Sequence, residues 1–195
     1  MFSSVLFVNS LCPLWLNLTT KDTKEAQSSQ RKRTFYGVVQ YSQIIPHSPR
    51  ENMNPKILDA AEAKARVIQM LAKNPFVSFA TLGADAYPDV RVLLVAANDG
   101  TDAIWFATAT DSSKIAQLRK NPKASLYGFD METMTEFRLF GNVELLSDSA
   151  ARQKIWRDEF IEHFPDGIDS PTMVVLRFNT DHGVYDNYGK ETGKF

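Results

Sequence analysis

The residues best suited to chemistry lie in the stretch TATDSSKIAQLRKNP, residues 108–122, directly after the apolar run AIWF. An apolar run that leads into hydroxyl residues and a lysine at the start of a short helix is typical of an anion site. The reason is that the first N–H groups of a helix have no partners within the helix. Thr108, Ser112, Ser113 and Lys114 therefore predict a helix start that binds a phosphate.

Arg91, in the run RVLLV, is a second cation that could reach the same anion. If the first three strands pair in chain order, Arg91 lies near the end of AIWFATA, beside the helix start. A guanidinium, an ammonium, hydroxyls and helical N–H groups together suit a phosphomonoester. A second interpretation stays open, in which Asp111 or Ser112 only caps the helix, Lys114 is solvated and Arg91 pairs with a nearby acid.

The sequence offers no clear catalytic side chain and no metal site. His163 and His182 have no partner at metal or triad spacing, and Ser112 and Ser113 lack the glycine-flanked elbow of a serine nucleophile. Cys12 is the one cysteine, so no internal disulfide can form, and neither a paired-cysteine nor a clustered Cys/His zinc spacing occurs. We therefore name no catalytic residue.

Composition limits the partners and the compartment. The chain has 195 residues, 44% hydrophobic and 23% charged, enough for one sizeable core. Its 22 basic and 23 acidic residues give a net charge of -1, which provides no basic field for nucleic acid or anionic membranes. The apolar segment 5–18 is too short and too interrupted to span a bilayer, and no Lys or Arg precedes it. We expect a cytoplasmic protein without nucleic-acid or membrane partners.

Regular patterning begins only after Met53, which divides the chain into an extension, 1–52, and a domain, 53–195. The extension is largely polar from Thr19 onward and is expected to be disordered. It is either a targeting or regulatory segment or upstream translated sequence, and the onset of amphipathic patterning just after Met53 favours the second interpretation.

The order of elements predicts a mainly β protein with helices. A helix over 57–73 is expected to bury one apolar face, formed by Ile57, Leu58, Ala61, Ala65, Ile68, Leu71 and Ala72. Six strands are predicted, at 76–82, 89–97, 103–109, 123–130, 135–146 and 172–178, with a short further element near 183–188. A short helix ending at Asn121 and a longer one over 149–164 complete the set. Short connections between the strands indicate an antiparallel sheet closed into a small barrel.

Several segments together resemble the pyridoxamine 5'-phosphate oxidase-like FMN-binding split barrels, and within them the general stress protein 26 branch. The segments are RVLLV, IWFATATDSSKIAQLRKNPKASL and FGNVELL, and the likeness runs from about residue 53 to 187. The resemblance implies a six-stranded antiparallel Greek-key split barrel that forms a homodimer. It also implies FMN, with FAD as the alternative, in a groove between the subunits.

The resemblance assigns roles to eleven residues. Arg91 and Lys114 match the cations that bind the cofactor phosphate, and Tyr185 falls where the family often has a Trp close to the flavin. Thr108, Ser112 and Ser113 match family residues that contact the cofactor through hydroxyl or backbone groups. The family positions that form the walls along the ribityl chain and the ring correspond to Val92, Leu93, Leu94, Phe106 and Ala107.

Two departures from the oxidases bear on function. Ala96 stands where they carry a Lys for the substrate phosphate, and in the later helix, where they keep an Arg for the same phosphate, Asp158 and Glu159 lie nearby. We therefore expect a flavin-dependent oxidoreductase acting on an unidentified small molecule in a stress response, with a non-catalytic flavin-binding stress or storage protein as the alternative. A true pyridoxamine 5'-phosphate oxidase is less expected. Binding of haem or a deazaflavin is a third hypothesis, and the lack of a well-placed His ligand argues against haem.

Overall fold

The computed structural model of the protein describes residues 54–195, so the predictions for residues 1–52 lie outside the described residues. Within this part of the chain, strands dominate. The β-strands are β1 Lys56–Ile57, β2 Phe76–Leu82, β3 Pro88–Leu94, β4 Ala97–Asp99, β5 Ala103–Ala109, β6 Lys123–Asp130, β7 Thr135–Leu146, β8 Met173–Asp186 and β9 Glu191–Lys194. The helices are α1 Ala60–Lys73, α2 Ser113–Lys120, α3 Ser149–Ile155 and two short 3-10 helices, Asp158–Glu162 and Gly167–Asp169.

These strands form one open sheet in the order β1-β9-β8-β7-β6-β2-β3, with β5 paired to both β4 and β8. All pairs are antiparallel except β1 with β9, which is parallel. The predicted mainly β fold with helices is confirmed. The six predicted strands correspond to the long ones, and the element expected near 183–188 is the end of β8, which continues to Asp186.

The pairing of the first three long strands differs from the prediction. Strand β2 pairs with β3 as expected, but β5 pairs with β8 and not with β3. The Asp-Gly signal does form a hairpin, between β4 and β5. The chain changes partner just after β3, because the Val95 N–H donates to Pro75 O while the Ala96 N–H donates to Trp105 O. The expectation that all three strands pair in chain order was therefore wrong.

The buried face of α1 also differs from the prediction. The helix begins after Asp59, whose side chain forms a capping box with Glu62, and it buries Ala63, Val67 and Leu71. Of the predicted face, only Leu71 and, before the helix, Leu58 are buried; Ile57, Ala61, Ala65, Ile68 and Ala72 are exposed. The alanines create two apolar stripes on this helix, and periodicity alone could not rank them.

The predicted helix over 149–164 ends early. Asp148 caps its start, accepting a bond from the Ala151 N–H at 3.0 Å. The helix stops at Ile155, Trp156 takes an extended conformation, and a 3-10 helix follows. This break lets Trp156 pack edge-on against Phe160 with ring centroids 6.2 Å apart. The prediction of one continuous helix over 149–164 was therefore wrong.

The core has two parts, one on each side of β5. The larger packs α1 and α2 against the sheet around Phe79, Phe106, Phe137 and Phe178. The smaller packs α3 and the first 3-10 helix against β5 and β8, around buried Ile155 and its neighbours. Strand β5 is thus held on both faces, which fixes the position of the residues that follow it.

Gly141 is expected to be indispensable for the long β7–β8 pairing. The register shifts between Phe140 and Gly141, and a Cβ at Gly141 would overlap the carbonyl oxygen of Asn179. Because that obstacle is backbone, Gly141→Ala should destabilise the fold by about 3 kcal/mol or more. Urea unfolding measures this. Gly83→Ala is the matched control, since its nearest obstacle is the movable Asp85 side chain at 2.7 Å; an equal loss in both variants would contradict the argument.

Candidate functional site

The start of α2 lies directly after β5, as the sequence predicted. Ser112 is the N-cap residue, but its side chain makes no capping bond to the helix backbone. Instead, Ser112 Oγ accepts a hydrogen bond from Lys114 Nζ. The Ile115 N–H donates to the Ser112 carbonyl oxygen at 2.9 Å, whereas the N–H groups of Ser113 and Lys114 have no carbonyl partner within the helix and remain available together with the hydroxyls.

Lys114 is the most unusual charged residue of this region. It is only 8% exposed, and Nζ donates to Thr108 Oγ1 at 2.9 Å as well as to Ser112. No carboxylate of residues 54–195 forms a salt bridge with it. A buried ammonium bonded only to neutral hydroxyls lacks a counter-ion, which is costly unless an anion binds there. The interpretation that Lys114 is solvated is therefore wrong.

The pKa of Lys114 reflects this environment. Burial lowers the pKa first, and the positive charge of Arg91 lowers it further, while Asp89 and Asp111 act weakly in the opposite direction. Burial and the charge of Arg91 therefore act in the same direction on the ammonium. The ammonium is thus in a field that favours an incoming negative charge.

Arg91 reaches this region from β3, by a different route from the one predicted. Its Nη1 donates to Thr81 Oγ1 at 2.5 Å, and its Nη2 donates to Gln117 Oε1 at 3.1 Å. Gln117 lies three residues after Lys114 on α2, and side chains at this spacing share a helix face. Contact with α2, and not pairing of β3 with β5, therefore brings Arg91 to the helix.

Arg91 also has an acidic partner, Asp89, whose Oδ2 lies 2.5 Å from Nη2. Gln117 Nε2 donates to the same carboxylate at 2.8 Å. The hydrogen bond from Gln117 is the main cause that lowers the pKa of Asp89, and the charges of Arg91 and Lys114 add to it. Pairing of Arg91 with a nearby acid is therefore observed, and the same guanidinium contacts Gln117 on α2, the helix that also carries Lys114.

Sequence reasoning missed three members of this cluster: Thr81, Asp89 and Gln117. Asp89 and Arg91 are two residues apart on one strand, so both point to the same side of the sheet. Thr81 is opposite Asp89 in the β2–β3 register. The i, i+3 spacing of Gln117 from Lys114 was the signal in the sequence that could have identified it.

The remaining predicted wall residues lie on β3 and β5, along strand edges that pair with no other strand within residues 54–195. In the described part of the chain, β3 pairs only with β2, and β5 pairs with β4 only as far as Trp105. Backbone edges at Val92 to Leu94 and at Phe106 to Ala109 therefore have no strand partner on one side. The Phe106 ring itself is buried in the core, 5.6 Å from the Phe79 ring centroid, so this residue can offer only its backbone.

The side chains of the other predicted residues are distributed as follows. Val92 and Ser113 are exposed, Leu93, Leu94 and Ala107 are half-buried, and Thr108 is buried beside Lys114. Ala96 is buried, and its carbonyl oxygen accepts a bond from Arg157 Nη2 at 2.6 Å.

Tyr185 lies elsewhere in the chain. It is opposite Phe137 in the β7–β8 register, is buried, and lines a groove of about 500 Å³ beside α1 with Arg66, Lys73 and Glu191. The structure therefore brings Arg91, Thr108, Ser112 and Lys114 together but leaves Tyr185 apart from them within one chain.

The described residues contain neither a metal-binding cluster nor a membrane-crossing helix. No group of three His, Cys, Asp or Glu residues within 54–195 is arranged to bind a metal ion. None of the helices in this part of the chain combines the length and the apolar character that crossing a membrane requires.

Solved structures resemble this fold over most of their own length. A protein related to general stress protein 26 from Clostridium acetobutylicum is 27% identical, with a TM-score of 0.63 over 69% of this chain and 94% of the other. A general stress family protein from Xanthomonas campestris is 21% identical, with a TM-score of 0.59 and coverages of 68% and 92%. General stress protein 26 from Bacillus anthracis is 18% identical, with a TM-score of 0.56 and coverages of 63% and 92%.

The family assignment comes from the sequence profile. No curated protein matches the chain significantly. The profile of the pyridoxamine 5'-phosphate oxidase family matches residues 63–185, which include β2 to β7, most of β8 and the whole Arg91–Lys114 region. With the split-barrel neighbours, this match covers well over half of the chain. The chain therefore belongs to the pyridoxamine 5'-phosphate oxidase family.

Proposed function

We propose that the protein binds FMN as a homodimer and acts as a flavin-dependent oxidoreductase on a small molecule in a stress response. The observation that carries the proposal is the buried ammonium of Lys114, which has hydroxyl partners but no acidic one among the described residues. A phosphate monoester would supply the missing negative charge. The residues present therefore fit the phosphate end of this cofactor.

Each group of the site has a separate task in this proposal. Lys114 and Arg91 neutralise the phosphate, while Ser112, Ser113 and the first-turn N–H groups of α2 orient its oxygens. The unpaired backbone edges of β3 and β5 offer N–H and C=O groups to the polar side of the ring and to the ribityl chain. When bound, FMN would supply the hydride or electron transfer, and the protein supplies position and charge. No side chain is assigned as an acid or base.

The homodimer is supported by an apolar sheet face formed by Phe76, Val90, Val92, Tyr127 and Phe129. These side chains are all exposed, and Val92, Ser78 and Tyr127 stand in one row across β3, β2 and β6. An exposed apolar face of this kind is typical of an interface. A second copy of the chain is the partner that we propose for this face.

A non-catalytic flavin-binding protein is the second candidate. Ala96 offers no cation for a substrate phosphate, and the neighbouring Arg157 donates to the backbone carbonyls of Val95 and Ala96. These contacts favour a protein that holds the flavin without the vitamin B6 reaction.

The absorbance of the full-length protein as purified tests the proposal first. A flavin spectrum supports it, while a haem Soret band, or a colourless protein that ignores added FMN, would overturn it. Anaerobic titration with NADH, NADPH and pyridoxamine 5'-phosphate then separates an oxidoreductase from a storage protein. Bleaching of the flavin by one of these reductants identifies the oxidoreductase.

FMN affinity is expected to pass through a maximum with pH. It should rise near pH 6, where a phosphate monoester loses its second proton. It should fall again in the alkaline range, because burial and Arg91 lower the pKa of Lys114 below the usual 10.5 while Asp89 and Asp111 only partly oppose them. Fluorescence titration of FMN between pH 5 and 10 measures this, with riboflavin as the control that lacks phosphate. Parallel profiles for the two ligands would contradict it.

A further inference from the structure

The side chain of Gln117 joins three elements around the Arg91 guanidinium. Its Oε1 accepts from Arg91 Nη2 at 3.1 Å and from Thr81 Oγ1 at 2.6 Å, and its Nε2 donates to Asp89 Oδ2 at 2.8 Å. This pattern has one consistent orientation, because a flipped amide would direct its NH₂ at the guanidinium and its oxygen at the carboxylate. Gln117 therefore has both amide ends fixed by charged partners.

We infer that Gln117 is a positioning residue that holds Arg91 beside Lys114, and that Asp89 is an internal competitor for the guanidinium that a bound phosphate uses. This inference rests on the proposed function in taking the ligand of the site to be a phosphate. It goes further by naming the residues that set the affinity for the phosphate and the preference between a singly and a doubly charged phosphate.

The positioning role follows from where the contacts lie. Arg91 is on an edge strand, and a long side chain there has several rotamers open to it. The bonds to Thr81 and Gln117 select the rotamer that lies along α2, on the face that also carries Lys114. Without Gln117, the guanidinium keeps its charge but loses its connection to the helix.

The competing role follows from charge. Asp89 lies 2.5 Å from the Arg91 guanidinium, so this pair is neutral and Lys114 is left as the one uncompensated charge of the Asp89, Arg91 and Lys114 group. A phosphate that approaches Arg91 must share the guanidinium with the carboxylate and is repelled by it. The repulsion on a dianionic monoester is about twice that on a singly charged phosphodiester. Asp89 thus weakens binding of the dianion more than binding of the diester.

The exposure of the two side chains in the Asp89–Arg91 ion pair indicates how much the pair contributes to the stability of the fold. The Asp89 side chain is 43% exposed and that of Arg91 is 18% exposed. An ion pair with one well-solvated partner contributes little to stability. Removing the charge of Asp89 should therefore leave the fold intact and act mainly on the anion site.

Two substitutions in the full-length protein test the inference, with FMN and riboflavin as paired ligands. Asp89→Asn is expected to tighten FMN about fivefold and to leave riboflavin unchanged, because only FMN carries the phosphate. Gln117→Met keeps the length and apolar contacts of the side chain and is expected to weaken FMN about tenfold, again without effect on riboflavin. Asp85→Asn is the matched control, because Asp85 lies in the turn between β2 and β3, and it should change the affinity for neither ligand.

The outcomes separate this inference from the proposed function. If Asp89→Asn binds FMN no more tightly than the wild type, Asp89 does not compete for the guanidinium and this part of the inference is wrong. If Gln117→Met loses affinity for FMN and riboflavin equally, Gln117 has only a structural role. If wild type binds no FMN, the proposed function fails. The shift of unfolding temperature by inorganic phosphate then tests the same two variants, with a larger shift expected for Asp89→Asn and a smaller one for Gln117→Met. Absence of any phosphate effect in the wild type overturns both ideas.

Discussion

Lys114→Met is expected to abolish FMN retention while raising the unfolding temperature of the ligand-free protein. The affinity should fall by about 2–3 kcal/mol, the range for a charge-assisted contact, and by about 3–6 kcal/mol when Arg91→Ala is added. The ligand-free protein should gain about 1 kcal/mol, since an ammonium without an acidic partner in the described residues is replaced by an apolar side chain of similar length.

The effect on the unfolding temperature reverses with ligand and becomes smaller as the pH rises. Saturating FMN stabilises only the protein that binds it, so the order of unfolding temperatures should reverse when FMN is added. The gain of the ligand-free variant should also shrink as the pH rises. With the folded-state pKa of Lys114 lowered, the unfolded chain binds more protons in the window below 10.5, and wild-type stability increases with pH there.

Thermal unfolding with and without FMN, combined with fluorescence titration, measures both parts. Lys120→Met is the matched control, because Lys120 is exposed at the last turn of the same helix. It should leave both the affinity and the unfolding temperature nearly unchanged. A lower unfolding temperature for ligand-free Lys114→Met would show that the lysine stabilises the fold through Thr108 and Ser112 and is not awaiting an anion.

If the protein is the proposed homodimer, Val92→Glu is expected to convert it to a monomer and to remove FMN with it. Val92 is 64% exposed, and Val90 on the same side of β3 is 59% exposed. In a two-fold symmetric contact each substitution occurs twice, so two carboxylates would be buried in the apolar sheet face. Burying unpaired charges there costs several kcal/mol, more than such an interface can lose.

Sedimentation analysis gives the oligomeric state, and circular dichroism checks that the fold is kept. Ile161→Glu provides the control, because Ile161 is an exposed apolar residue on the first 3-10 helix, away from this face. It should remain dimeric and yellow. A dimeric Val92→Glu protein with bound FMN would place the interface on another surface and leave the apolar sheet face unexplained.

The features that the sequence determined are local ones. The start of α2 could be predicted because an N-cap, a lysine two residues later and an apolar strand before them occupy one short stretch. The six long strands were predicted for the same reason, since alternation and turn residues report on neighbouring positions. The cations of the candidate site, Arg91 and Lys114, were identified in this way.

Only the tertiary structure decided how these pieces meet. Strand β5 pairs with β8, some seventy residues further along the chain, and no local pattern encodes a partner at that distance. Periodicity likewise left two apolar stripes on α1, and packing against the sheet buried the one through Ala63 and Val67. The roles of Asp89 and Gln117 could not be predicted for the same reason. In the sequence they resemble ordinary surface residues, and only the packing of β3 against α2 brings both to the Arg91 guanidinium.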